Sequence, residues 1–325
     1  MGIVLVTGGA GFIGSHLVDA LVRSGEQVHV VDNLTSGKLD NVNVNASFVE
    51  MDFTTQAFKK LVCMIKPEVI FHPGAVPRVT YSVEHPVETN HHNIGGTLNV
   101  LEAARVAGTR RVIYSASSSA YGGAEVRPTP ETTMVDPKSP YAVQKLAGEF
   151  YCRAYSNVYG LDTVILRYFN VFGPRQDKNS PYTGVIAVFA QQLLTGQKLT
   201  IDGDGTQSRD FTYVENIIQA NLKAGSYPKP IRGEVFNVGC GSTISILAIA
   251  HAMNKIYCPD QPVADIEYCP PRVGDVRHSH ADIQKICDTL GYQPSIPFDH
   301  GLKLTCEWYK EQYEKEQYEK EQRSN

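Results

Sequence analysis

The sequence predicts an α/β fold, a doubly wound parallel sheet, from three observations. Short apolar runs alternate with helical segments through about residue 170. A glycine-rich turn at residues 8–14 stands between the first run and the first helix. The second run ends in a carboxylate, Asp32, at the distance such a turn requires.

The elements follow in order. Ile3-Val4-Leu5-Val6-Thr7 is a short apolar run, as a strand buried on both faces requires. Gly8-Gly9-Ala10-Gly11-Phe12-Ile13-Gly14 comes next, then helical spacing at Leu17, Ala20 and Leu21. Gly8 allows the tight turn. Gly11 lets backbone N–H groups approach a pyrophosphate at the positive end of the helix, where Phe12 and Ile13 begin it. Gly14 lets helix and strand pack closely. A carboxylate at Asp32 accepts hydrogen bonds from ribose hydroxyls and repels a 2′-phosphate, which favours NAD over NADP. Asn33, Ser36 and Gly37, in the loop that follows, are candidates for the adenosine end. A third strand leads to Asp52, which either contacts the adenine or caps the next helix, with Phe53 beside it.

Strands are predicted at 3–7, 28–32, 47–51, 69–72, 111–116 and 163–169, and helices at 12–24, 54–65, 92–107 and 140–158. Residues 1–173 thus form a Rossmann-type dinucleotide-binding domain. Beyond residue 173 the pattern turns irregular and rich in Gly, Pro and Asp. Residues 174–310 are expected to be mainly a smaller substrate lobe, with 234–238 returning to the sheet. The tail, 311–325, repeats Glu-Gln-Tyr-Glu-Lys and reads as a solvated helix extension or frayed end.

Composition narrows the function. A chain of 325 residues, 42% hydrophobic, can bury a large core. The net charge of −4 comes with no basic stripe, which argues against a nucleic-acid partner. No apolar run approaches a membrane span. The chain starts directly in a strand, and position 6 is Val where a myristoylation start needs Ser or Thr. The 7 cysteines show no Cys-x-x-Cys spacing. Free thiols in a reducing cytoplasm, and no metal site, are expected.

The chemistry is carried by Tyr141-Ala-Val-Gln-Lys145. Residues four apart share a helix face, and Ser139-Pro140 reads as the helix start. A free phenol titrates near pH 10, and a cation within about 4–6 Å can lower its pKa by roughly 1–3. Such a phenolate can take a proton from a sugar hydroxyl while NAD takes hydride from the same carbon. A hydroxyl at Ser117, with Ser118 next to it, follows the fifth strand, where ligands of such sheets bind.

These motifs resemble the extended short-chain dehydrogenase/reductases, and within them the UDP-sugar 4-epimerases. The likeness spans about residues 1–310. It also rests on residues 167–175 (Arg-Tyr-Phe-Asn-Val-Phe-Gly-Pro-Arg), on Gly203-Asp204-Gly205 with Arg209-Asp210-Phe211, and on Arg272-Val273-Gly274-Asp275. The resemblance implies catalytic roles for Ser117, Tyr141 and Lys145. It assigns Asn170, Arg209 and Arg272 to the UDP, with Asp275 and Val185 beside the substrate. Arg suits a phosphate because its fork donates two hydrogen bonds. Ser279 matches the position that gates the pocket, and its small size leaves room for an N-acetyl group. UDP-GlcNAc/UDP-GalNAc interconversion is therefore expected beside UDP-Glc/UDP-Gal. The segment 179–185 resembles relatives that accept N-acetylhexosamines.

Related activities compete. Sugar 4,6-dehydratases carry Asp-Glu where Ser118-Ser119 stand, and glucuronate decarboxylases carry a Glu nearby, for which Ala120 is no substitute. UDP-uronate epimerases are a further alternative, and a non-catalytic NAD-binding regulator is one of another class. Two departures from the family pattern stand out. Pro73-Gly74 replaces an Ala-Ala pair, with Gly74 small enough for cofactor to approach. His91-His92 reads as a polar helix start, with Asn93 assigned to the nicotinamide side. By analogy the chain is a homodimer, through a four-helix interface drawing on Leu98, Leu101, Val106, Leu146, Phe150 and Ala154.

Overall fold

The structure is a computed structural model that describes residues 2–77, 79–177, 184–260, 265–271 and 276–324. Its centre is a parallel sheet of β1 (Ile3–Thr7), β2 (Gln27–Asp32), β3 (Ser47–Glu50), β4 (Val69–His72), β5 (Arg111–Ser117), β6 (Asp162–Tyr168) and β7 (Glu234–Val238). The order is β7-β6-β5-β4-β1-β2-β3. The direction of strand addition reverses between β1 and β4, and that reversal opens a crevice at their carboxyl ends.

Helices cover both faces because both are apolar. Successive residues of β1 point to opposite sides. Val4 and Val6 pack with Leu17 and Leu21 of α1 (Phe12–Arg23) and with Ile217 of the helix Val214–Ser226. Leu5 packs on the other side with Phe58 and Val62 of α2 (Gln56–Ile65) and with Val100 and Leu101 of α3 (Thr97–Ala107). α4 (Pro140–Tyr159) completes that layer through Cys152 and Tyr155.

The predicted helix at 92–107 differs. Residues His91–Gly96 form a π-helical turn that runs into α3. The wider turn brings Asn93 inward, where it is buried. Two short helices, Val79–Glu84 and Pro86–Asn90, precede it.

Beyond β6 the chain builds small sheets. Ser208–Arg209 pairs with Ile244–Ser245 on one side and with His278–Ser279 on the other. The helix Phe298–Ser324 anchors itself through buried Leu302, Cys306 and Tyr309 and continues through the charged repeat. Among the described residues, no helix is long and apolar enough to cross a membrane.

Candidate active site

A cleft of about 700 Å³ lies at the carboxyl ends of the central strands. Gly8, Gly11, Phe12, Ile13 and Gly14 line one end, next to Asp32, Asn33, Ser36, Phe53 and Gly74. Ser117, Ser118 and Tyr141 line the middle, and Asn170, Arg209 and Ser279 line the far end.

The glycine turn is shaped by close approach. Gly8 has φ of +65°, the left-handed region, and a Cβ there would meet Gly74 Cα at 2.6 Å. A Cβ on Gly14 would stand 2.0 Å from the Gly8 carbonyl oxygen. Gly11 begins α1 without a side-chain cap, so the first-turn amides are available to an anion. Asp32 is buried; its Oδ2 accepts Ala10 N–H at 3.0 Å and its Oδ1 accepts Leu34 N–H at 2.8 Å. Burial raises its pKa, and these two bonds oppose the rise.

Several predicted cofactor residues take supporting positions outside the lining. Asp52 Oδ1 accepts Thr54 N–H at 2.8 Å and Oδ2 accepts Asn33 Nδ2 at 3.3 Å, so it orders the loop and holds Asn33, which does line the cleft. The cap of α2 is Thr55, not Asp52. Gly37 lies against Ala10, and a Cβ on it would reach Ala10 Cβ at 2.8 Å. Asn93 is also buried away from the lining. Its Oδ1 accepts Val76 N–H at 2.8 Å, and its Nδ2 donates to Val76 O and to Gln144 Oε1 at 3.1 and 2.8 Å. Its amide braces the wall behind Ala75 and Pro77 in place of facing the cleft.

α4 presents the catalytic candidates. Ser139 Oγ accepts Ala142 N–H at 3.2 Å and Pro140 takes the first turn, as the sequence predicts. Tyr141 N–H donates to Ser82 Oγ at 3.0 Å. Ser117 Oγ accepts Ser119 N–H at 3.2 Å and hydrogen-bonds the Tyr141 phenol. Lys145 is buried. Its Nζ donates to the Ser115 carbonyl at 2.7 Å and sits 5.0 Å from the centre of the Tyr114 ring.

The electrostatics differ from expectation. Burial pushes the Tyr141 phenol up to about 12, opposed by the Ser117 hydrogen bond. Burial also brings the Lys145 ammonium down to about 8. The predicted drop in the phenol pKa is absent: desolvation dominates, and what opposes it is the Ser117 hydrogen bond, while the Lys145 ammonium is directed to Ser115 O.

The substrate candidates converge from distant segments. Ser279 pairs with Arg209 in register. Arg209 Nη1 donates to the carbonyls of Ser208 and Arg277 at 3.0 and 2.9 Å. Asn170 Nδ2 reaches Asp210 O at 3.5 Å. Val185 heads the helix Val185–Leu194, and its neighbour Gly184, not Val185, lines the cleft. Arg272 and Asp275, with most of the segment 179–185, lie outside the described residues.

Residues 4–239 match the NAD dependent epimerase/dehydratase family. The chain belongs to that family. It is 39% identical to a UDP-glucose 4-epimerase of Mycolicibacterium smegmatis over 95% of this chain and 98% of the relative. The UDP-glucose 4-epimerase of Thermotoga maritima, solved with UDP-glucose, superposes with a TM-score of 0.90 at 39% identity, covering 95% of this chain and 99% of that one. A UDP-N-acetylglucosamine 4-epimerase from Methanobrevibacter ruminantium, solved with UDP-N-acetylmuramic acid, gives a TM-score of 0.90 at 38% identity, covering 96% and 99%.

NAD, the cofactor of this family, fits the cradle: an uncapped helix start meets a tight glycine turn, with a carboxylate on the neighbouring strand end. Sequence reading missed Lys38 and Asn41, which line the adenosine end, and Tyr121, which lines the middle. Lys38 directly follows the predicted Ser36-Gly37 pair, a signal that could have found it. Tyr121 gave no such signal. It is fixed by Asn237 Oδ1 at 2.7 Å and by Arg167 stacked 4.7 Å from its ring.

Proposed function

We propose that this protein is a UDP-sugar 4-epimerase that interconverts UDP-GlcNAc and UDP-GalNAc as well as UDP-Glc and UDP-Gal. The observation that carries this reading is one cleft lined by Ser117 and Tyr141, by the glycine turn, and by Arg209 with Ser279. Residues 1–173 hold the cofactor, and the lobe over 174–310 holds most of the substrate.

Bound NAD supplies a reversible hydride acceptor for sugar C4 and a positively charged ring. Tyr141 moves the O4 proton, out as the carbon is oxidised and back as it is reduced. Ser117 donates to the phenol oxygen and lines the cleft beside it, where it can orient the sugar hydroxyl. Lys145, one turn along α4, would hydrogen-bond the nicotinamide ribose when NAD is bound, and the cofactor's positive ring would favour the phenolate. Asn170 and Arg209 hold the UDP while the sugar turns to present its other face. The redox loop closes on itself, so no external oxidant is consumed.

Ser279 supports the N-acetyl substrates, because a serine lining the cleft leaves space that a bulky aromatic would fill. The test is incubation of purified protein with the four UDP-hexoses, no cofactor added, followed by separation of products. UDP-GlcNAc gives UDP-GalNAc, and Ser279→Tyr removes that conversion while sparing UDP-Glc/UDP-Gal. Wild-type protein that leaves UDP-GlcNAc unchanged overturns the substrate reading.

The same reading includes a homodimer and a cytoplasmic enzyme. Val106, Val143 and Phe150 are 48%, 49% and 55% exposed on α3 and α4, an apolar face suited to a second copy. Ala154 is exposed there too. Leu101 and Leu146 are buried within the subunit and do not belong to that face. All seven cysteines are free thiols, which suits a reducing compartment.

A further inference from the structure

His72 ends β4 and is 1% exposed. Its Nδ1 lies 2.7 Å from Thr7 Oγ1, and its Nε2 lies 3.1 Å from Thr97 Oγ1. Thr97 Oγ1 donates its one proton to the Asn93 carbonyl at 2.7 Å. His72 Nε2 must therefore carry the ring proton and donate to Thr97. Nδ1 is then an acceptor, and Thr7 donates to it. Thr7 Oγ1 in turn accepts the Gly74 N–H at 3.4 Å. Every hydroxyl in the run donates once, so the tautomer is set by the network. Burial keeps the ring neutral, with its pKa down to about 3.

The run does not stop at Asn93. Its side-chain amide clasps both backbone groups of Val76 and donates to Gln144 Oε1 at 2.8 Å. Gln144 Nε2 donates onward to Thr89 Oγ1 at 2.9 Å. Gln144 is the neighbour of Lys145 on α4. Gly74 lies against Gly8, where a Cβ would come within 2.6 Å of Gly74 Cα. One hydrogen-bonded path thus connects the end of β1, the cleft wall at 73–77, the π-helical turn and α4.

We infer that His72 is a positioning residue: a neutral imidazole of fixed tautomer that locks the nucleotide loop and the 73–77 wall to the helix bearing Tyr141 and Lys145. It lies behind the cleft, outside the residues that line it. It acts by holding the cradle and the proton-moving phenol in one frame. The kinetic half of the test rests on the 4-epimerase reading, and the cofactor half does not.

His72→Phe keeps ring bulk and removes both bonds. Purified holoenzyme carrying it should lose NAD on dilution about tenfold faster than wild type, the size expected for one buried hydrogen-bonded link. With NAD saturating, kcat should fall by about tenfold while the UDP-sugar KM moves by less than about threefold. Thr97→Val breaks the same path with little change in shape and should reproduce the kcat loss. Thr97→Ser restores the hydroxyl and should return kcat to within about twofold of wild type. The inference is overturned if His72→Phe folds and both retains NAD and turns over as wild type does. It is also overturned if Thr97→Ser is as impaired as Thr97→Val. Should His72→Phe fail to fold, the Thr97 pair decides.

Discussion

Ser117 hydrogen-bonds the Tyr141 phenol and favours its ionised form, against burial that pushes the phenol up to about 12. A hydrogen bond to a charged group contributes about 1.5–3 kcal/mol. Ser117→Ala should therefore lower kcat/KM at pH 7 by about 10- to 100-fold. The sign follows from which form the bond favours. Losing a donor raises the phenol pKa, less phenolate is present below it, and the ascending limb of the pH–rate profile moves to higher pH. A profile of unchanged position, merely scaled down, contradicts the assigned role. At this scale, spacing made much of the site legible. Tyr141 and Lys145 are four apart, and the glycine turn announces itself between a strand and a helix. What spacing could not give was the phenol's environment, because desolvation and the Lys145–Ser115 bond depend on how α4 seats against β5. The burial of Asn93 outside the cleft lining was hidden for a similar reason: the π-helical turn that buries it has no local sequence signature.

α4 reaches β5 over a glycine. A Cβ on Gly148 would lie 2.2 Å from the Tyr114 hydroxyl, and that hydroxyl donates to the Lys145 carbonyl at 3.2 Å. Behind it, Arg167 of β6 grips Glu149 through two bonds of 2.8 and 2.6 Å. The helix cannot shift without breaking that buried ion pair. Gly148→Ala should thus cost about 1–3 kcal/mol of stability, the usual cost of overpacking. Per unit of stability lost it should also lower kcat more than Gly160→Ala, whose cost comes from its left-handed φ of +71° at the end of α4, with no atom near its Cβ position. Denaturant melts and steady-state rates on the two variants check this. The start of α4 was readable from Ser139 and Pro140. Its seating was not, because the sequence does not reveal that Gly148 faces Tyr114 or that Glu149 meets Arg167.

On the scale of the whole molecule, the strand reversal between β1 and β4 brings the ends of five strands to one cleft. That topology followed from the alternation of apolar runs and helices, and the segment 234–238 joins the sheet beside β6 as expected. The substrate end was less legible. Arg209 and Ser279 are 70 positions apart and become neighbours only through two-residue strands, which are too short to leave a pattern. Of the residues proposed for a dimer face, Val106, Phe150 and Ala154 are exposed, whereas Leu101 and Leu146 are committed to the subunit's own core. Phe150→Asp should turn a dimer into a folded monomer in sedimentation equilibrium. A wild-type protein that sediments as a monomer contradicts the assignment of that face.

The account turns on hydride leaving C4 and returning to it inside one cleft, while Tyr141 carries the O4 proton. The most direct measurement uses UDP-galactose bearing deuterium at C4, incubated with purified protein and no added NAD, with the product read by proton NMR. The account predicts UDP-glucose that keeps its deuterium at C4. Deuterium replaced by solvent hydrogen, or no change of configuration at C4 in any UDP-hexose tested, contradicts it.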